Sequence, residues 1–407
     1  MKKINLLFRL LSIILLLLLG LQNCTDHSVN SEKVKGNLFP IKDGEKWGYM
    51  DSAGTVILSP QFGAVEGYFI SGYSIFKKGN KYGLIDSTGN ITVHADYDKL
   101  TYYNGSITWA MKNGKWGAID IHDLTVIPFI YDTISYNMDI QPMLIKKAGK
   151  WIYINKKGEE VFNNLNYEET HVFSGSLALA RKNGLYGYIN KKGEWTIPAE
   201  YEKAEDFNGD KTIVYQSGSY YIIDTTGKQK LKIPYSKVDK TNKEFAKVLS
   251  GNKWGVIDMK GVLIADTIYD ELGPYFVDGY SCGWKEGKCF ILSDKGKIIP
   301  LPEIDIIWSF DNGTATFRKG KNYGYCDTTG KITMIQAASF SEGLAAANNG
   351  DISSMGNGYG YIDWSGKVVI PYQYEQAFSF KNGLARIEKN GKMGYINKTG
   401  KIVWMEK

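Results

Sequence analysis

Apolar and polar residues alternate with a period of two through short runs, and the runs themselves recur along the chain. Around Trp116 the alternation follows Lys112-Asn113-Gly114-Lys115, and Asn-Gly between two alternating runs predicts a tight β-hairpin. Asn183-Gly184 and Asn390-Gly391 repeat the signal. A second turn places Asp or Asn three residues before Gly, as in Asp86-Ser87-Thr88-Gly89 and Asn190-Lys191-Lys192-Gly193, which suits a type I turn closed by a left-handed glycine. A third apolar run, such as Trp195-Thr196-Ile197-Pro198, ends at proline, which cannot donate to a ladder and marks a strand end or an edge. After the N-terminal leader no stretch shows sustained helical periodicity.

These three runs form a unit, seen whole from Tyr359 to Asn397, where the pattern restarts at Met393, 34 residues after Tyr359. Equivalent starts fall at Trp47, Tyr82, Trp116, Trp151, Tyr186, Tyr220, Trp254, Cys289, Tyr323, Tyr359 and Met393, eleven units spaced by 34 to 36 residues with no linker between them. The next residue is glycine in eight units, while Ile152, Tyr221 and Phe290 depart from the rule. Seven residues after the start glycine recurs in all but one unit, where Asp123 stands instead.

Hairpin register predicts how units pack. With the turn at Asn183-Gly184, Arg181 lies opposite Tyr186 and Leu179 opposite Tyr188 on one bulky face, while Ala180 lies opposite Gly187 and Ala178 opposite Ile189 on a small one. Stacked units then insert the bulky face of one into the small face of the next, worth roughly 1.5 to 3 kcal/mol per buried ring. A lone 35-residue unit cannot close a core, so stability resides in these interfaces. In the eighth unit Phe290 replaces glycine opposite Gly283, a compensation in size; Ile145 with Ile152 and Val214 with Tyr221 show none.

Residues Lys46-Trp47-Gly48-Tyr49, Lys253-Trp254-Gly255-Val256-Ile257-Asp258, Ile127-Pro128 with Tyr131-Asp132, and Phe340 to Ala345 resemble the WG-repeat family of bacterial proteins. The resemblance covers about residues 37–407 and implies an all-β tandem array without a common catalytic activity. Weak starts at Cys289 and Met393 break the uniformity. The expected architecture is an open superhelical solenoid of three-stranded units, because a closed propeller usually has four to eight blades; propeller-like closure is the alternative. Leu38 to Lys42 and Lys401 to Trp404 could cap an array or close a ring.

The N-terminus carries an address. Lys2, Lys3 and Arg9 precede the apolar run Leu10 to Leu19, too short to span a bilayer, and Gly20-Leu21-Gln22-Asn23-Cys24 follows, the form of a secretory leader. Leu21 three residues before Cys24 resembles the lipobox of bacterial lipoproteins, although Gln22 and Asn23 depart from its usual small residues. The resemblance implies a signal peptide over 1–23, lipid attachment at Cys24, a polar tether over 24–36 and a repeat domain over 37–407. Outside Cys24 the cysteines are Cys282, Cys289 and Cys326, an odd number that makes no disulfide framework; a hairpin turn at Glu286-Gly287 would set Cys282 opposite Ile291 and Cys289 opposite Trp284, as free buried thiols.

Composition adds limits rather than chemistry. The 407-residue chain is 43% hydrophobic and 14% aromatic, enough for a large core, and its net charge of +6 falls to about +3 without the leader, too balanced to imply nucleic acid. The glycine-lysine segments at Gly324 to Lys331 and Gly360 to Lys367 have the wrong spacing for a phosphate loop. The Asp-x-x-Gly turns offer one carboxylate each, too few for calcium, and His27, His94, His122 and His171 lack metal-ligand spacing. No catalytic, cofactor or metal residue is therefore assigned.

The functional expectation is a non-catalytic lipoprotein of the bacterial cell envelope, at the outer membrane, in the periplasm or on the cell surface, held to the membrane by its lipid. Its repeats would bind an envelope or extracellular protein. The alternative is a polysaccharide bound by exposed aromatics such as Trp109, Trp195, Trp308 or Trp364, and a repeat-scaffold enzyme ranks last. Several coplanar, solvent-facing rings would favour the glycan.

Overall fold

A computed structural model describes residues 38–67, 69–135, 140–162, 167–240, 244–273, 276–348 and 358–407. The leader, Cys24 and the tether lie outside the described residues. Every regular element among those described is a β-strand, and all the strand pairs are antiparallel hairpin neighbours grouped into eleven separate sheets. The expected starts fall one to a sheet. The turns follow their residues: Asn183 and Gly184 have φ of 52° and 79°, the paired positive values of a type I′ hairpin, and Gly54 donates its N–H to the Asp51 carbonyl (3.1 Å) at a φ of 89°.

Nine of the sheets have four strands and two have three. In the fifth blade the strands are Glu169–Thr170, Leu177–Lys182, Leu185–Asn190 and Trp195–Tyr201, in that order across the sheet. The expected three-stranded unit is thus extended by a two-residue strand, Glu169–Thr170. Leu179 pairs with Tyr188 and Ala180 with Gly187, as the hairpin register requires. Leu179 and Tyr188 pack on Val214 and Ile223 of the sixth blade, while Ala178, Ala180 and Ile189 receive Leu144 and Tyr153 of the fourth. The bulky face of each blade therefore does enter the small face of the next.

In six blades the glycine after the start has a different role from the one its face suggested. There the last two strands skip register: Tyr186 pairs with Tyr201 and Tyr188 with Ile197, so one residue opposes three. The surplus Pro198 segment folds over Gly187, where a Cβ would stand 2.6 Å from the carbonyl oxygens of Ile197 and Pro198. The neighbour being accommodated is the blade's own backbone, not a ring from the adjoining blade. Tyr221 and Phe290 follow from the same geometry, because their last strands run in straight register, Tyr221 on Lys232 and Phe290 on Pro300. Phe290 also fills the space over Gly283, as expected from size.

The open solenoid is overturned. Phe39, Ile41 and Met50 of the first blade form one buried cluster with Leu384 and Tyr395 of the eleventh, and the Phe39 and Tyr395 rings meet edge-on at 5.6 Å. Gly54 rests against Val403 of the last strand just as Gly400 rests against Ile370 and Gly158 against Ile127. The contact between the ends repeats the contact between neighbours, so the blades close into an eleven-bladed β-propeller. The apolar first and last strands, which could have capped an array, instead cover one another.

Candidate functional site

Several junctions between blades are tied by one or both of two polar devices. A tyrosine two residues after the start donates its hydroxyl to backbone of the crossing segment: Tyr188 to the Glu205 carbonyl and Tyr361 to the Phe378 carbonyl, both at 2.7 Å. Burial pushes both phenols well above their ordinary range. At several junctions an acid just after the last strand reaches the hairpin turn of the next blade. Asp132 accepts from Lys115 Nζ (2.7 Å) and the Gly149 N–H (2.8 Å), and Glu375 accepts from the Asn390 and Gly391 N–H groups at 2.9 Å. The Lys115 ammonium and the Gly149 N–H hold the Asp132 carboxyl below the ordinary aspartate range. The carboxylates of the Asp-x-x-Gly turns are likewise occupied at home, Asp51 Oδ1 accepting from the Ala53 and Thr55 N–H groups. Asp123, the residue at the glycine position of the third blade, accepts from Tyr97 Oη instead.

The four tryptophans named as glycan candidates separate. Trp109 is 2% exposed and belongs to the core between the third and fourth blades. Trp195 is half-buried and meets Tyr167 edge-on. Trp364 is exposed yet stacked over Phe340 at 4.0 Å. Trp308 is exposed and nearly parallel to exposed Tyr323, with centroids 6.2 Å apart. The structure does not bring the four together.

Surface recesses lie at the junctions. One of about 560 Å³ opens where the ring closes, bordered by Phe39, Phe378, Arg386 and Tyr395; another of about 670 Å³ is lined by Tyr102, Tyr103, Trp109, Trp116 and Thr133. A smaller one of about 390 Å³ holds Trp308, Thr316, Tyr323 and Gln336. The last strands form a second kind of surface, exposing an apolar side chain at Val56, Ile91, Val126, Leu263, Val368 and Ile402 in six different blades. Hydrophobic periodicity alone could not find this edge, because these residues read as strand interior.

Cys282, Cys289 and Cys326 are free and buried, Cys282 and Cys289 in the predicted register, and burial pushes the Cys282 thiol up to about 11 and the Cys326 thiol up to about 12. Among the described residues there is no group of three or more potential metal ligands. His171 bridges across a junction to Asp206 at 3.0 Å and within its own blade to Glu169 at 3.3 Å, and the Asp206 carboxylate raises its pKa.

Residues 47–82, 82–116, 153–186, 186–220, 254–282 and 359–392 match the family described as WG containing repeat, so the chain is a WG-repeat protein. None of the curated proteins matches it. Among solved structures it is similar to a eukaryotic initiation factor at 10% identity and a TM-score of 0.39, over 91% of this chain and 96% of that one. It is also similar to Hsv2p of Kluyveromyces lactis, at 11% identity and a TM-score of 0.24, over 48% of this chain and 74% of that one. A third likeness is to the extracellular domain of a putative hybrid two-component system from B. thetaiotaomicron, at 9% identity and a TM-score of 0.20, over 91% and 64%. None of these likenesses bears on what the chain binds.

Proposed function

We propose that this chain is a non-catalytic binding scaffold of the bacterial cell envelope, anchored through lipid on Cys24, whose ligand is a protein. The observation that supports the reading is the repeated apolar edge: exposed Val56, Ile91, Val126, Leu263, Val368 and Ile402 stand on last strands, where isolated polar side chains would blunt association. In five of these six blades the register skip over the WG glycine twists the edge away from uncontrolled pairing. What remains is an apolar rim suited to a partner of matching shape, and its repetition lets one partner engage several blades.

The test uses the tagged full-length chain, cross-linked in cells and recovered from solubilised envelope. Replacing Ile91, Val126 and Val368 together by lysine should leave the melting temperature nearly unchanged, since all three are exposed, and abolish recovery of the wild-type partner. Equal recovery by both chains, or no specific partner for either, counts against the proposal. Cys24→Ala should release the protein from the membrane fraction or leave its leader uncleaved; equal retention of both forms would remove the lipid anchor from the reading.

A further inference from the structure

The ninth blade departs from the others at three places on one face. Its first strand, Ile306–Asp311, is longer than the two-residue version and skips register between Ile307 and Phe310, a bulge that turns Trp308 and Ser309 out of the ladder. Its second strand places Thr316 opposite Tyr325, where the second and fifth blades place Ile75 and Leu179. Those side chains are buried at their junctions, whereas Thr316 is exposed. The smaller residue leaves a recess of about 390 Å³ toward Gln336 and Ala337 of the tenth blade. Tyr323, the aromatic start of this unit, is 45% exposed there, and Trp308 is 44% exposed with its ring inclined by only 19° to that of Tyr323.

Two exposed, nearly parallel aromatic faces offer a surface for flat apolar groups, and they are an expense the fold does not need, since the second and fifth blades bury the side chain at the position of Thr316. The six residues lining the recess carry no formal charge. Gln336 presents an amide donor and acceptor side by side, and Thr316 a hydroxyl that can act either way. Vicinal sugar hydroxyls are also donor and acceptor at once, and a pyranose ring has a C–H face that packs on an aromatic ring. We propose that the recess between the ninth and tenth blades is a binding site for a neutral pyranose unit of a glycan, with Trp308 and Tyr323 as the stacking platform and Gln336 and Thr316 as the hydroxyl-reading groups. The site is separate from the apolar last strands and does not depend on a protein partner.

The test is calorimetric titration of the full-length protein, in detergent, with maltohexaose, cellohexaose, xylohexaose and laminarihexaose, and with a decaproline peptide as a ligand of different class. At least one oligosaccharide should bind saturably. Trp308→Ala and Tyr323→Ala should each weaken it about tenfold or more without lowering the melting temperature, because both rings are exposed. Trp308→Phe should retain most of the affinity, and Trp364→Ala, on a ring that covers Phe340, should change nothing. Absence of binding by all four sugars overturns the proposal, as does sugar binding indifferent to Trp308→Ala. Binding of decaproline alone assigns the platform to a proline-rich peptide and overturns it equally.

Discussion

Gly187 does not adopt a positive φ, so the residue is required for space and not for conformation. A methyl group there would meet two carbonyl oxygens of the bulged last strand at 2.6 Å, and backbone cannot swing aside as a side chain can. Gly83, Gly117, Gly255, Gly324 and Gly360 each face one carbonyl oxygen of their own last strand at 2.5 to 2.7 Å. Gly187→Ala should therefore cost about 1 to 3 kcal/mol and Gly187→Val more, read as a fall in the denaturation midpoint. An unchanged midpoint for both would show that the bulge can move away. The sequence made the small size of this position legible, and it made the register opposite Ala180 legible too. It hid the cause, because the surplus residues of a bulge leave no mark in the alternation of the strand that they oppose. Once the bulge is known, Pro128, Pro198 and Pro371 are its sequence trace, lying where the last strand leaves the ladder.

The hairpins were readable because Asn-Gly turns and alternation over five or six residues point the same way, whereas the first strand of each sheet was not. Lys203–Ala204 is two residues long, too short for any period, and is held by the sheet rather than by its own preference. Its position comes from the polar ties around it, which titrate. His171, on the crossing segment of the fifth blade, bridges to Asp206 on that of the sixth, and the Asp206 carboxylate raises the imidazole pKa above its ordinary 6.5. A raised folded-state pKa gives stability that is fully present below the unfolded value and is lost as pH rises through the folded value. His171→Gln should consequently lower the melting temperature relative to the parent at pH 5.5, with the difference shrinking toward zero as pH rises past the folded pKa; a pH-independent difference would contradict the bridge. The aspartate ties run the other way. Asp98, Asp132 and Asp270 are held below the ordinary 3.8 by Lys81, Lys115 and Lys253, so their contribution is complete above that value and disappears as pH falls through the lower folded pKa.

Eleven units were countable from the sequence, yet their closure was not, because each interface is local and the summed rotation per unit appears in no single repeat. Copy number favoured an open array on grounds of what propellers usually are, and the end strands were apolar enough for either outcome. What decides is that Tyr395 of the last blade is 5% exposed, covered by Phe39, Ile41 and Met50 of the first. Closure changes the energetics of the whole, since an open array frays from its ends while a ring has no end to fray. The junction between the eleventh and first blades should then behave as an interior one. Tyr188, at the equivalent position between the fifth and sixth blades, is fully buried, and truncating a large buried ring costs about 3 to 5 kcal/mol. Tyr395→Ala should lower the denaturation midpoint as far as Tyr188→Ala does, and both should expose amides of Phe39–Asp43 and Leu177–Lys182 to faster hydrogen exchange near their own junction. If Tyr395→Ala left stability intact while Tyr188→Ala was severe, the two ends would not be bearing on each other and the ring would be broken at that point. A similar loss at both sites requires that the last face, like every other, works only when the next blade is there to receive it.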